Sequence, residues 1–343
     1  MMQPSFHAPA RAVPDISIII PAHNAEGCLR RALDSLSAQS FDPKRMQVIV
    51  VDDGSTDGTA AIIASYQATA PFPLEVISLP EPSGSPALPR NRGIECATGE
   101  YVFFLDADDW LGDQAVSRML AHAGEWGSDV LLVKLKGENG RSTASVMFGR
   151  NRARVDAYRS LVTCTLGPWK LYRRSIVASL RFPRDMPEDI EFVLRAYDAA
   201  DVISIAADYD YYHLAFTDDG GNVSFTMWDH PASNIRSYRR IFDFIESSLP
   251  ARARRSVLMR RLFKIEVCRT FIGIVLCGGD DAPNLYDEFA QMTRPFYSPI
   301  VKAMLPAPHR ALLKSALGAK GSYEFLAEYV RSESFDRSNF FEC

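Results

Sequence analysis

Tyr101-Val-Phe-Phe-Leu105, closed by Asp106-Ala107-Asp108-Asp109, is the stretch on which the fold turns. An unbroken apolar run of this length reads as a buried strand, and it opens at its carboxyl end onto three acids. Carboxylates so close together repel one another unless a cation lies between them. Hard oxygen ligands at this spacing suit Mg²⁺ or Mn²⁺, and such an ion would in turn hold the phosphates of a nucleotide. Taken alone the motif has a local reading too, because acids at turns and helix starts cap amides and favour the positive end of the helix dipole.

Two upstream segments repeat the pattern. Asp15-Ile-Ser-Ile-Ile-Ile-Pro21-Ala-His23-Asn24-Ala-Glu26 is an apolar strand stopped by a proline, and Leu29, Leu33 and Leu36 then recur as the buried face of a helix. Val48-Ile-Val-Val-Asp52-Asp53-Gly54-Ser55-Thr56-Asp57-Gly58-Thr59 is again strand, acids and glycine, with capping residues ahead of a helix. The alternation continues through Leu74 to Leu79, residues 87 to 98 and residues 101 to 105. It predicts a mostly parallel α/β sheet flanked by helices. Ligands of such sheets bind beyond the carboxyl ends of the strands, where all these acids fall.

The ordered set IIIPAHN, VIVVDDGSTDGT, PRNRGIECATGEYVFFLDADDW and PEDIEF resembles glycosyltransferase family 2, inverting enzymes of the GT-A (Rossmann-like) fold that use nucleotide sugars; the likeness runs over residues 14 to 215. Among them it is similar to enzymes that decorate wall teichoic acid or polysaccharide. The resemblance implies that Pro21 and His23 line the nucleotide pocket, His23 lying flat beside uracil where a tyrosine is commoner. It implies that Asp53 accepts a hydrogen bond from the base N3–H, a donor that cytosine lacks. Glu26 either reaches the ribose or starts its helix, and Asp52 bonds to nearby backbone amides. Arg90 would contact the nucleotide sugar, whereas Arg92 reads as a surface residue. Asp106 would lie near the ribose and Asp108 on the metal, with Asp109 as a helper and Trp110 in packing.

The resemblance makes Asp189, in Met186-Pro-Glu188-Asp189-Ile-Glu191, the general base, at a helix start where a carboxylate stays ionised. An inverting transfer needs one base to take the acceptor proton while that oxygen attacks opposite UDP, with positive groups on the leaving diphosphate. Read locally, Glu188 and Asp189 cap their helix; otherwise Glu188, like Trp169 and His213, is a candidate acceptor or phosphate contact. Trp169 either stacks on a sugar face or anchors the core. Lys170, Arg173 and Arg174 are either solvated charges or contacts for a phosphate-bearing acceptor. His213 is either a phosphate contact or a buried, hydrogen-bonded histidine, ahead of a polar glycine loop, Thr217 to Ser224. The processive signature QxxRW is absent, which favours single-sugar transfer or decoration.

Composition fits an intracellular enzyme: 343 residues, 47% hydrophobic and 23% charged, are enough for a sizeable core. A net charge of −4 carries no nucleic-acid footprint. Cysteines 28, 96, 164, 268, 277 and 343 show no CxxC pairing and read as reduced thiols. Met1 to Pro14 lacks the apolar core of a secretory signal, and the apolar run Phe271 to Cys277 is far short of the ~20 residues of a membrane span. Beyond residue 228 the pattern turns helical, with Leu258, Leu262, Ile265, Ile272 and Leu276 on one stripe broken by Arg260, Arg261, Lys264 and Arg269. Such a stripe packs on the rest of the protein, pairs copies into a homo-oligomer, or touches an anionic membrane surface.

The expected organisation is a disordered leader over 1–13, a GT-A catalytic domain over 14–227 and a helical C-terminal region over 228–343. Within the catalytic domain the nucleotide-sugar half ends near 110 and the acceptor half follows. The expected activity is Mn²⁺- or Mg²⁺-dependent transfer of N-acetylglucosamine or another hexose from a UDP-sugar to a saccharide or polyol-phosphate hydroxyl, in the cytoplasm or at the inner face of the membrane. A nucleotidyltransferase is the rival among enzymes, although Ala22 to Gly27 has no Lys or Arg for a triphosphate. A non-catalytic sugar-nucleotide-binding protein is the rival outside them.

Overall fold

The computed structural model describes residues 13–141, 143, 145–215, 230–251, 257–333 and 335–340. The expected leader, apart from Val13, and the loop Thr217 to Ser224 lie outside the described residues. The first half alternates strand and helix: β1 (Ile16–Ala22), α1 (Leu29–Ser37), β2 (Met46–Asp53), α2 (Thr59–Thr69), β3 (Leu74–Leu79), α3 (Ala87–Cys96) and β4 (Tyr101–Phe104). Then come β5 (Trp110–Leu111), α4 (Ala115–Trp126), β6 (Val130–Val133), β7 (Leu135–Gly137), β8 (Arg152–Val155), β9 (Lys170–Arg173), α5 (Arg174–Val177), α6 (Glu188–Ala199), β10 (Ile203–Ala206) and β11 (Tyr212–Leu214).

Eight strands form one sheet in the order β3-β2-β1-β4-β9-β6-β10-β8. The β3-β2-β1-β4 half is parallel throughout, whereas β9 runs antiparallel to both β4 and β6, and β8 antiparallel to β10. Every residue of β1 and β2 is buried, as expected of central strands covered by helices on both faces. Glycine permits the closest of these approaches: a Cβ on Gly93 of α3 would lie 2.3 Å from Ile19 Cγ2 on β1. Gly54, at φ +62°, turns the chain away at the end of β2 in a conformation that few other residues accept. Registers Ala22 with Asp52 and Ile19 with Phe104 bring the carboxyl ends of β1, β2 and β4 to one edge of the sheet.

A second, three-stranded sheet, β5-β11-β7, folds over that edge and pairs Trp110 with His213. Beyond it the chain is helical: α7 (Pro231–Ser247), α8 (Val257–Leu262), α9 (Cys268–Cys277), α10 (Ala282–Thr293), α11 (Pro299–Met304), α12 (Ala307–Leu317) and α13 (Tyr323–Arg331). α7 packs on α6, and one contiguous apolar core runs from Ile16 to Phe340. The apolar stripe of this region is not continuous. A π-helical turn, Phe263–Val267, joins α8 to α9; Leu258, Leu262, Ile265 and Ile272 are buried while Leu276, in the last turn of α9, is 47% exposed. Among the described residues no helix is long and apolar enough to cross a membrane.

Candidate active site

Where β1 and β2 end, two loops are tied together by hydrogen bonds. The amides of Asn24, Ala25 and Glu26 donate to Ser55 Oγ (2.9 Å), Thr59 Oγ1 (2.7 Å) and Asp57 Oδ2 (3.1 Å). Those amides are therefore spent, so the loop after β1 does not form the open amide cradle that a triphosphate needs. His23 donates from Nδ1 to the Asp53 carbonyl at 2.7 Å, and Asn24 Nδ2 lies 3.2 Å from His23 Nε2, so a neutral ring protonated on Nδ1 satisfies both. The ring is exposed at the mouth of the edge, and Pro21 is buried beneath it in β1. Glu26 accepts from the Gly58 amide at 3.0 Å, so its carboxylate caps the start of α2 rather than that of its own helix. Asp52 accepts from the Ser55 amide at 3.1 Å. Asp53 is buried, and its two oxygens accept from the Ser83 amide (3.0 Å) and hydroxyl (2.8 Å), with lone pairs left on each.

At the end of β4 the three acids take different surroundings. Asp106 accepts from Arg90 Nη2 at 2.9 Å and from the indole of Trp169 at 2.7 Å. Asp109 is buried and accepts from the Tyr212 hydroxyl and the Ala215 amide, both at 2.7 Å. Burial, then the charges of Asp108 and Asp106, push its carboxyl up to about 8. Asp108 differs: no described side chain hydrogen-bonds to its carboxylate, and burial with the neighbouring charge of Asp106 raises its pKa against its own backbone amide and the charges of Arg141 and Arg31. No three His, Cys, Asp or Glu side chains are grouped to hold a metal by themselves among the described residues. That donor set fits Mg²⁺ or Mn²⁺ in the form that one carboxylate, several waters and substrate phosphates complete, rather than a protein cage.

Beside Asp108 stands a stack. Arg31 donates to the Asp108 carbonyl, and its guanidinium lies 4.2 Å from the Trp110 ring centre. His213 stacks on the same indole at 5.1 Å and 11°, and its Nδ1 donates to Glu138 at 2.7 Å.

Arg90 is buried on α3, and its second amino group donates to Glu188 Oε1 at 2.8 Å. Burial works against its charge, but Asp106 and Glu188 outweigh it and hold the guanidinium firmly protonated. Glu188 opens α6 beside Asp189, which is half-buried and accepts from the Ile190 backbone amide but from no side chain among the described residues. Burial first, then the like charge of Glu188, push Asp189 up to about 7, with Arg90 opposing. Its carboxyl is therefore poised to gain or lose a proton near neutrality. Lys170 is not solvated: it is buried, donates to the Gly167 carbonyl, and burial pulls its ammonium down to about 7 against the pull of Asp189. Arg173 pairs with Asp129 and Glu100, and Arg174 donates to the Gly99 carbonyl, so these side chains are occupied within the fold.

Residues 17–181 match the family model of glycosyl transferase family 2. This chain carries a family 2 glycosyltransferase domain. It is 37% identical over 248 residues (71% of the chain, 39% of the relative) to poly(ribitol-phosphate) beta-glucosyltransferase of Bacillus spizizenii. Against poly(ribitol-phosphate) beta-N-acetylglucosaminyltransferase TarS of Staphylococcus aureus it is 37% identical over 201 residues, 57% of the chain and 35% of the relative. The chain thus spans well under half the length of these relatives. S. aureus TarS 1-349, solved in complex with UDP and with UDP-GlcNAc, superposes at a TM-score of 0.77 with 28% identity, covering 92% of this chain and 91% of that one.

Apart from His213, which stacks on Trp110, the residues expected from the sequence thus fall into two groups. Asp106, Arg90, Glu188 and Trp169 form one hydrogen-bonded chain with Asp108 and Asp189 at either end, whereas Pro21, His23, Glu26 and Asp53 flank the ends of β1 and β2. Sequence reading missed Tyr212, whose hydroxyl donates to Asp109 and accepts from the Asp106 amide at 3.1 Å. The available signal is the aromatic run Tyr209-Asp-Tyr-Tyr-His213, which sets Tyr212 next to His213.

Proposed function

We propose that the chain is an inverting glycosyltransferase that moves N-acetylglucosamine or another hexose from a UDP-sugar to a hydroxyl of a saccharide or polyol-phosphate polymer. The observation that carries this reading is the pair of acids that no described side chain hydrogen-bonds, Asp108 and Asp189, held at opposite ends of the Asp106–Arg90–Glu188 chain. The relatives named for poly(ribitol-phosphate) transfer, and a structural neighbour solved with UDP-GlcNAc, support the acceptor and donor classes.

In this reading Asp53 accepts from the uracil N3–H with the lone pairs that Ser83 leaves, and His23 presents its exposed ring to the base. Asp108 would hold a Mn²⁺ or Mg²⁺ ion, which supplies positive charge to the departing diphosphate. Asp189 takes the proton of the acceptor hydroxyl as that oxygen bonds to the anomeric carbon, and the bond to the UDP oxygen breaks on the opposite face. Arg90 fixes Asp106 and Glu188, so donor and base sides keep a set distance. Trp169 turns its indole N–H to Asp106 and leaves ring surface for a sugar.

A screen of UDP release across UDP-sugars, with and without Mn²⁺ and with poly(ribitol phosphate) as acceptor, tests the proposal. Release that needs both acceptor and metal supports it. Silence with every UDP-sugar, or turnover of nucleoside triphosphates instead, overturns it. The spent amides of residues 24 to 26 disfavour the nucleotidyltransferase reading.

A further inference from the structure

The segment that carries Asp189 is gripped from the C-terminal helical region. Arg240, on α7, donates through Nη1 to Asp185 at 2.8 Å and through Nε to Glu191 at 3.0 Å. These acids stand four residues before and two after Asp189. One turn earlier on the same helix, Ser237 Oγ donates to the Pro187 carbonyl at 3.3 Å, and Arg240 Nη2 lies 3.4 Å from that hydroxyl. A single guanidinium fork thus closes a bracket around residues 185 to 191. No side chain hydrogen-bonds to Asp189 among the described residues, and its carboxyl accepts only from the backbone amide of Ile190, so its place is set by the backbone that this bracket holds.

We infer that Arg240 is a positioning residue for the base, and that through it the C-terminal helical region belongs to the catalytic unit. The inference rests on Asp189 being the base. Arg240 is replaceable as a fold contact: Glu191 also pairs with Arg195 at 2.9 Å, and Asp185 with Arg236 at 3.5 Å. Its removal leaves both acids a partner and the apolar contacts of α7 intact. What is lost is the fork that ties the two flanks to each other, a planar bidentate geometry that lysine does not reproduce.

The test compares Arg240→Met, Arg240→Lys and Asp189→Asn in the full chain, by UDP release from UDP-GlcNAc with poly(ribitol phosphate), by UDP affinity and by melting temperature. Arg240→Met is expected to lower kcat roughly tenfold or more, with donor KM and UDP affinity within about twofold of the parent, because a small displacement of a catalytic group costs rate and not donor binding. Arg240→Lys is expected to recover only part of the loss. Unchanged kcat in Arg240→Met, beside an inactive Asp189→Asn, would overturn the positioning role alone. Equal falls in UDP affinity and kcat would reduce Arg240 to a general structural contact. Normal turnover in Asp189→Asn would remove the base assignment itself, whatever Arg240 does.

Discussion

Arg90 and Glu188 lie 98 residues apart in the chain and 2.8 Å apart in the fold, each side chain 5% exposed. The same guanidinium holds Asp106, so one buried cation neutralises two carboxylates on different motifs. Truncating such a centre leaves uncompensated buried charge, which costs about 3 to 5 kcal/mol. Arg90→Met is therefore expected to lower the free energy of unfolding by that order in urea titrations, and Glu188→Gln by less because the amide still accepts from Arg90. An Arg90→Met variant as stable as the parent would contradict this account of the pair.

Asp108 is expected to carry the metal dependence of UDP binding. Asp108→Ala should abolish the tightening of UDP by Mn²⁺ seen in calorimetry, with the circular dichroism spectrum unchanged, since no described side chain relies on that carboxylate. Equal UDP affinity of the unmodified protein in EDTA and in Mn²⁺ would refute the assignment.

For Asp53, two roles share one carboxylate. Loss of a charge-assisted hydrogen bond to the base costs ~1.5 to 3 kcal/mol, so Asp53→Ala should bind UDP about tenfold or more weakly. Ser83→Ala removes the hydroxyl that Asp53 holds at 2.8 Å but keeps the carboxylate, and is expected to weaken UDP far less. Equal losses in the two variants would make Asp53 a loop anchor, and GDP binding as tight as UDP would remove its selectivity.

The parallel half of the sheet was legible because its strands are continuous apolar runs that end in turn residues: β1, β2 and β4 fall where the sequence placed them, within a residue or two. Antiparallel β9 was not, because Lys170-Leu-Tyr-Arg173 carries charges that read as surface yet are consumed inside, Lys170 by a carbonyl and Arg173 by two acids. Four short motifs supplied the candidate site residues. Their connections were not legible, since the Arg90–Glu188, Trp169–Asp106 and Tyr212–Asp109 contacts join segments 63 to 103 residues apart. The stripe beyond residue 257 failed at Leu276 because that residue falls in the last turn of α9, and a helical period does not tell how far along a helix the packed face extends.

Asp189 gives the last prediction. Asparagine there keeps size and helix-start geometry but removes the proton acceptor, so Asp189→Asn should retain UDP affinity and melting temperature and lose transfer by at least about a hundredfold, the lower end of what general-base catalysis supplies. The same group sets the pH dependence. Burial and Glu188 raise its carboxyl to about 7, and the base acts only when ionised, so kcat should fall tenfold per pH unit below about 7 and level off above it. An ordinary carboxylate would place that limb near pH 4. Because the folded pKa is raised, the protonated form is the one that folding favours, and this residue's contribution to stability weakens as pH climbs from the ordinary carboxylate range through 7. Asp189→Asn should consequently flatten that part of the stability profile and, at pH 8, melt no lower than the parent. A kcat profile flat from pH 5 to 8, or near-normal turnover in Asp189→Asn, would pass the role of base to Glu191 or Asp185.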